Sequence, residues 1–278
     1  MMKNKPRFVF FGSPHYAEIV LAKLIEKGYK PELVVCNPDR PAGRKRIITP
    51  PETKVLAERH GIEVLQPEKI NSPINWAINW QDIDFSVVAA YGQIIPLEVI
   101  ELPRLGTLGL HPSWLPKYRG PSPIKSVILN GERWTAATIY QMDEGMDSGP
   151  TLWGKPIEIK EGESAKELGE RLWKEEAEGL VSILPAFLAE KLEERPQNHE
   201  LATYTKMFET KDGEVDMEKD APIEIYRKIL ALAEEPGVYT LNFPSREGKR
   251  VKLLEAKYRN SEVIVKKIKP EGKREITL

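Results

Sequence analysis

The sequence predicts an α/β fold built on a mostly parallel sheet, followed by a smaller β domain. Three observations carry that reading. Short apolar runs alternate with amphipathic stretches through the first half of the chain, the pattern of consecutive βα units. A polar stretch interrupts the regularity after Arg195. Beyond it, one amphipathic helix is followed only by strand candidates.

Phe8–Phe11 is an unbroken apolar run and therefore a buried strand, and Gly12-Ser13-Pro14 is the turn into a helix with Ala17, Leu21, Leu24 and Ile25 on one face. Leu33–Cys36 is the second strand, Thr53–His60 a helix and Glu63–Leu65 a short strand. Phe85–Ala90 is the most strand-like segment, and Thr107–Leu110 is a strand that stops at His111-Pro112. Ser122–Asn130 reads as helix and Ala136–Gln141 as extended chain, while Leu152 and Ile157 sit in short strand candidates. A long helix begins near Ser164, where Ser164-x-x-Glu167 forms a capping box, and Leu168, Leu172, Leu180, Leu184 and Leu188 supply its buried face. Arg195-Pro196-Gln197-Asn198 breaks it. Ile223–Ala233 is a second amphipathic helix, and Val238–Asn242, Val251–Leu254 and Val263–Ile268 are strands. The expected division is an α/β domain over 1–195, a linker over 196–220 and a small β domain over 221–278.

Composition narrows the function. The net charge is −1, from 41 basic and 42 acidic residues, which argues against a uniformly basic nucleic-acid binder. The charge is segregated, however: from Arg246 onward eleven Lys/Arg face five Glu, a net +6, so the first 245 residues carry −7. Cys36 is the single cysteine and the four histidines are scattered, which excludes an internal disulfide and leaves no Cys/His set at metal-ligand spacing. No window approaches the roughly 18 apolar residues of a membrane span. The expectation is a cytoplasmic protein with no metal and no membrane partner, and a monomer.

Chemistry-bearing residues are sought where strands end, because ligands of open parallel sheets bind beyond the carboxyl ends. His111 directly follows such a strand and opens a loop whose two prolines, Pro112 and Pro116, restrict the backbone. Taken alone it could simply hydrogen-bond that loop. Asp147 lies in Met142-Asp143-Glu144-Gly145-Met146-Asp147-Ser148-Gly149, which is a solvated turn unless Asp147 faces His111. A carboxylate there would fix the tautomer of the imidazole and favour its charged form, which can stabilise a developing oxyanion. Pro38–Arg46 holds four cations and one acid, and with the basic tail it makes two separated positive patches that suit the phosphates of a folded RNA.

These segments resemble, in order and over nearly the whole chain, the 10-formyltetrahydrofolate-dependent formyltransferases. Phe8–Pro14 is similar to the family's opening strand and turn, and Pro38-Asp39-Arg40-Pro41-Ala42-Gly43-Arg44 to a loop that marks its tRNA-acting members. Ala90-Tyr91-Gly92-Gln93-Ile94-Ile95-Pro96 resembles the stretch lining the folate pocket. His111–Pro121 and Gln141–Gly149 resemble the segments holding the essential His and Asp. The resemblance implies a Rossmann-like formyltransferase fold with an OB-like C-terminal domain. It further implies transfer of the formyl group of 10-formyltetrahydrofolate to the α-amine of methionyl initiator tRNA. His111 would serve the oxyanion and proton transfer, and Asp147 would orient it. Ser113, Trp114, Leu115, Pro116, Tyr91, Gly92, Gln93 and Ile94 would contact folate. Arg40, Arg44, Lys45 and Arg46 would meet the acceptor stem, and Lys266, Lys267 and Lys269 the tRNA body.

Two departures from the family pattern stand out. Gly109 occupies the position of an Asn that helps bind the formyl oxygen, and losing one such donor typically costs about 10²–10³ in rate. A water or a neighbour such as Gln93 is expected to replace it; otherwise the chain is a weakened or non-catalytic binder. The C-terminal domain is also short, with only about a dozen residues between Lys257 and Lys269. An amino-sugar N-formyltransferase is the alternative of the same chemistry, and the Pro38–Arg46 loop and basic tail argue against it.

Overall fold

A computed structural model describes residues 5–43, 46–70, 78–244 and 248–278. The chain divides into two compact units, one made of Met1–Arg119, Ala136–Ile157 and Glu170–Thr203, the other of Gly120–Thr135, Glu158–Gly169 and Tyr204–Leu278.

The first unit is built on seven strands: β1 (Phe8–Phe11), β2 (Leu33–Val35), β5 (Glu63–Leu65), β6 (Phe85–Val88), β7 (Thr107–His111), β8 (Trp134–Gln141) and β9 (Thr151–Glu158), in the order β5-β2-β1-β6-β7-β8-β9. The first five run parallel and β8 runs antiparallel to β7. β1 is apolar at every position because both of its faces are covered. On one face Phe8 stacks on Phe85 at 4.9 Å, and Phe85 meets Phe187 of helix α5 (Ala165–Leu188) edge-on at 5.7 Å. On the other, Val9 and Phe11 join Leu33, Val35, Tyr91 and Val99. The alternation follows from the two-residue period of a strand.

Helix α1 (His15–Glu26) starts at the end of β1 and buries Ala17, Val20, Leu21 and Leu24. Its Tyr16 stacks on Trp173 of α5 at 5.9 Å. Helix α2 (Glu52–Arg59) carries Thr53, whose hydroxyl donates to the Gly12 carbonyl at 2.8 Å. The Ser164 capping box forms as the spacing predicts, with Ser164 N donating to Glu167 at 2.9 Å and Glu167 N to Ser164 Oγ at 3.3 Å.

Two readings of the sequence are revised, and one helix is added. The Pro/Gly-rich basic loop is a two-stranded hairpin of β3 (Arg40–Ala42) and β4 (Ile47–Thr49), since β-branched Ile47, Ile48 and Thr49 pair back onto Arg40-Pro41-Ala42. The two short candidates at Leu152 and Ile157 are one strand, β9. Helix α3 (Leu97–Ile100) passes unseen in the sequence because four residues are too few to show a period.

In the second unit, helices α4 (Pro123–Leu129) and α6 (Pro222–Leu232) accompany a four-stranded antiparallel sheet in the order β10 (Val238–Thr240), β11 (Val251–Arg259), β12 (Glu262–Pro270) and β13 (Ile276–Thr277). Strands β11 and β12 join through Asn260-Ser261, both at positive φ (51° and 63°), the two-residue turn whose twist matches the hairpin. Both strands outrun their apolar cores, where alternation with charged residues hides them from a search for apolar runs. Tyr258 of β11 stacks on Tyr226 of α6 at 5.7 Å.

Gly12 marks the tightest approach at the carboxyl end of β1. A Cβ there would lie 2.6 Å from Ala17 Cβ and 2.7 Å from the Ala89 carbonyl. Gly12→Ala is therefore expected to cost roughly 1–3 kcal/mol of stability in urea titration; an unchanged midpoint would show that α1 yields freely.

Candidate active site

His111 is the last residue of β7, one place further along the strand than the apolar run suggests. It is 5% exposed. The register pairs His111 with Thr138 and Gly109 with Tyr140, so these four share one face at the carboxyl end of β7. The Tyr118 carbonyl accepts from His111 Nε2 at 2.8 Å, and since a carbonyl can only accept, that nitrogen carries hydrogen. Nδ1 faces Asp147 Oδ2 at 3.4 Å. Each ring nitrogen thus points at an oxygen acceptor.

Asp147 reaches this position through a strained loop, with its own φ at +49°. Two features hold the loop. Asp143 Oδ1 accepts from Gly145 N at 3.1 Å and Ser148 Oγ at 2.6 Å. Gln197, 8% exposed, donates its amide to the carbonyls of Asp147 at 2.9 Å and Gly149 at 2.7 Å. The Gln197 oxygen in turn accepts from Arg119 Nη2 at 2.7 Å, which accounts for an arginine only 2% exposed. Gly149 is required, because a Cβ there would lie 1.8 Å from the Gln141 carbonyl.

Tyr140 completes the arrangement. Its hydroxyl donates to Asp147 Oδ1 at 2.7 Å, and burial together with the Asp147 charge holds the phenol well above 10, so it stays protonated and acts as a donor. At Gly109 a Cβ would lie 2.5 Å from the Tyr140 ring. The ring fills the space that any side chain at 109 would need.

A polar crossing links the loops after β1, β2 and β6. Asn37 N donates to Ser13 Oγ at 2.8 Å, and Asn37 Nδ2 to the Tyr91 carbonyl at 3.0 Å. Gln93 Nε2 donates to Asn37 Oδ1 at 2.9 Å and the Pro67 carbonyl at 3.2 Å, while Gln93 Oε1 accepts from Ile70 N at 3.2 Å. Both amide hydrogens of Gln93 are thereby committed, which removes it as a stand-in for a donor at Gly109. A cleft beside this crossing is lined by Asn37, Pro38, Arg40, Glu68, Lys69, Gln93 and Ile94.

The other residues named from the sequence fall into distinct environments. Trp114 and Ile94 are exposed, at 53% and 91%, whereas Leu115 and Tyr91 are buried. The Leu115-Pro116 peptide is cis, and Gly92 has φ +82°. Ser113 is fully buried and spends its groups on the loop itself: N–H to His111 O, hydroxyl to Lys117 O, carbonyl accepting from Thr138 Oγ1. Arg40 pairs with Glu68, Arg46 is exposed in the hairpin turn, and Arg44 and Lys45 lie outside the described residues. In the second unit, Lys267 pairs with Glu255 at 3.4 Å and Glu275 at 3.2 Å, and Lys269 with Glu275 at 3.3 Å. Lys266 lies beside them on β12. Among the described residues no group of three His, Cys, Asp or Glu could hold a metal ion, and no helix is long and apolar enough to cross a membrane.

Sequence reasoning missed Asn37, Tyr140 and Gln197. Asn37 follows the end of β2, so the strand-end rule that found His111 could have found it. For Gln197, inside the presumed linker, the sequence offers no signal.

A parallel sheet with a His–Asp pair beyond its strand ends defines the class. Residues 6–184 match the formyl transferase family, and the chain belongs to it. Within it, the methionyl-tRNA formyltransferase of Chloroflexus aggregans is 43% identical over 235 residues, covering 84% of this chain and 76% of that one. The fold is also that of two solved structures. The methionyl-tRNA formyltransferase of Clostridium thermocellum has TM-score 0.64 and 16% identity, covering 95% of this chain and 98% of that one. An N-formyltransferase of Helicobacter canadensis, solved with folinic acid and dTDP-3-aminofucose, has TM-score 0.68 and 16% identity, covering 92% and 89%.

Glu176 of α5 lies fully buried behind β8, with Thr138 N donating to Oε1 at 3.4 Å and no hydrogen bond at Oε2. Burial pushes its carboxyl well above the ordinary 4.5. The folded state then keeps a proton that the unfolded state releases, so this group lowers stability as pH rises above about 4.5. Glu176→Gln removes that loss. Its gain in urea midpoint over the parent is expected to grow between about pH 4 and pH 8, and a gain independent of pH would contradict a protonated carboxyl.

Proposed function

We propose that this chain transfers the formyl group of 10-formyltetrahydrofolate to the α-amine of methionine esterified to initiator tRNA, in the cytoplasm and as a monomer. The observation that carries the proposal is His111, held between the Tyr118 carbonyl and Asp147 at a strand end, in a chain whose curated relatives are methionyl-tRNA formyltransferases.

Attack of the amine on the formyl carbon creates an oxyanion and leaves a proton to be removed from nitrogen. The Tyr118 carbonyl fixes the His111 ring plane, and the Asp147 carboxylate faces Nδ1. Beside Asp147, His111 hydrogen-bonds the oxyanion, the Asp147 carboxylate takes the proton released by the amine, and that proton passes to N10 of the folate as the bond between N10 and the formyl carbon breaks. The folate lies along the exposed Trp114 and the Tyr91–Ile94 turn, where Gly92 lets the backbone approach a ring closely. The hairpin bearing Arg40 and Arg46 meets the acceptor stem, and Lys266, Lys267 and Lys269 meet the tRNA body. The carboxylates now paired with Lys267 and Lys269 hold those lysines in place and compete with phosphate.

The test is formylation of methionyl initiator tRNA with 10-formyltetrahydrofolate. The parent is expected to react and His111→Ala to lose about 10²–10⁴ in rate. A parent that formylates a nucleotide-linked amino sugar and leaves the tRNA untouched would overturn the proposal. Replacing Lys266, Lys267 and Lys269 together by Ala should flatten the plot of log affinity for tRNA against log salt; an unchanged slope would remove them from the tRNA surface.

A further inference from the structure

We infer that Tyr140 is a positioning residue of this active site, acting through Asp147, and that Gly109 is glycine because the Tyr140 ring lies across it. The inference rests on the formyl-transfer reading above and deepens it.

Gly109 and Tyr140 are directly opposite in the β7/β8 ladder, so the tyrosine side chain projects on the face where position 109 would place its own. Glycine leaves that face open, and the ring occupies it: a Cβ at 109 would lie 2.5 Å from two ring carbons and 2.8 Å from the hydroxyl oxygen. The two positions therefore exclude each other's side chains. His111 is two residues along from Gly109 on the same face, which sets the phenol beside the catalytic pair.

The hydroxyl has a defined use there. It donates to Asp147 Oδ1 at 2.7 Å while Oδ2 faces His111 Nδ1 at 3.4 Å. One carboxylate oxygen is held by a rigid aromatic group and the other faces the histidine. Asp147 sits in a loop with positive φ whose backbone Gln197 holds, and the Tyr140 hydroxyl holds the carboxylate. An aromatic ring locked between strands is a stiffer donor than a flexible amide. The phenol also stays protonated at neutral pH, as a donor to a carboxylate must. At 4% exposure, the ring is shielded from solvent that would compete for this bond.

Tyr140→Phe keeps the ring over Gly109 and removes only the hydroxyl. With methionyl tRNA and 10-formyltetrahydrofolate, kcat is expected to fall about 10- to 100-fold, the loss of one hydrogen bond to a charged group, with each KM within about threefold. In an Asp147→Asn background the same substitution should add little, because the two residues act as one unit. Full kcat in Tyr140→Phe, or an equal loss in both backgrounds, would overturn the inference. At position 109, Gly109→Asn should lose activity by displacing the ring, and Gly109→Asn with Tyr140→Ala should recover part of it; a gain from Gly109→Asn alone would contradict mutual exclusion. A readout independent of turnover separates this inference from the function assigned above. The Tyr140 hydroxyl proton should give a downfield NMR resonance that disappears in Tyr140→Phe and moves in Asp147→Asn. Its presence in a protein that does not formylate tRNA would sink the functional reading alone, and its absence would sink the Tyr140–Asp147 bond.

Discussion

The antiparallel pairing of β8 with β7 is the constraint on which the site depends. Five parallel strands bring backbone ends to one edge of the sheet, but they deliver only the histidine. Reversing the next strand places Thr138 and Tyr140 beside His111 and Gly109; β8 then ends at Gln141, opposite Leu108, and the loop that follows carries Asp147 back over this face to His111. A single register sets three distances at once: His111 to Asp147, Tyr140 to Asp147, and Tyr140 to the bare face of Gly109. A slip of one residue would turn Tyr140 to the opposite face and undo all three.

Around this pairing the protein holds the loops by buried and half-buried polar groups that hydrogen-bond one another and the backbone. Arg119 spends its guanidinium on Gln197, and Gln197 spends its amide on the carbonyls of the Asp147 loop. Ser113 commits donor and acceptor to its own turn, and Gln93 and Asn37 tie three strand ends together. Such groups are costly to leave unpaired in a low-dielectric interior, so the network resists any loop geometry but this one. At the rim of these loops Trp114 and Ile94 are exposed.

How much of this was legible follows from which physical signal each part emits. The strands of the α/β unit are buried on both faces and read as unbroken apolar runs, so Phe8–Phe11 and Phe85–Val88 are plain in the sequence. His111 is legible because a strand end and two prolines mark it. The antiparallel sheet of the second unit is half wet, and its strands run well past the apolar stretch that signals them. Tyr140 could not be read, because its role exists only once Gly109 is known to lie opposite. From the sequence, Gly109 looks like a missing donor, whereas in the fold it is the space another donor needs. The charge pattern is legible in sum but not in disposition: two of the tail's eleven cations, Lys267 and Lys269, are paired with the tail's own Glu255 and Glu275.

The most direct measurement of the central claim, that the β7/β8 register poses His111 between a carbonyl and a carboxylate, is the ¹⁵N spectrum of the His111 ring across the neutral pH range. That pose requires hydrogen on Nε2 throughout, because its partner is the Tyr118 carbonyl. A neutral ring with bare Nε2 and hydrogen on Nδ1 would contradict it.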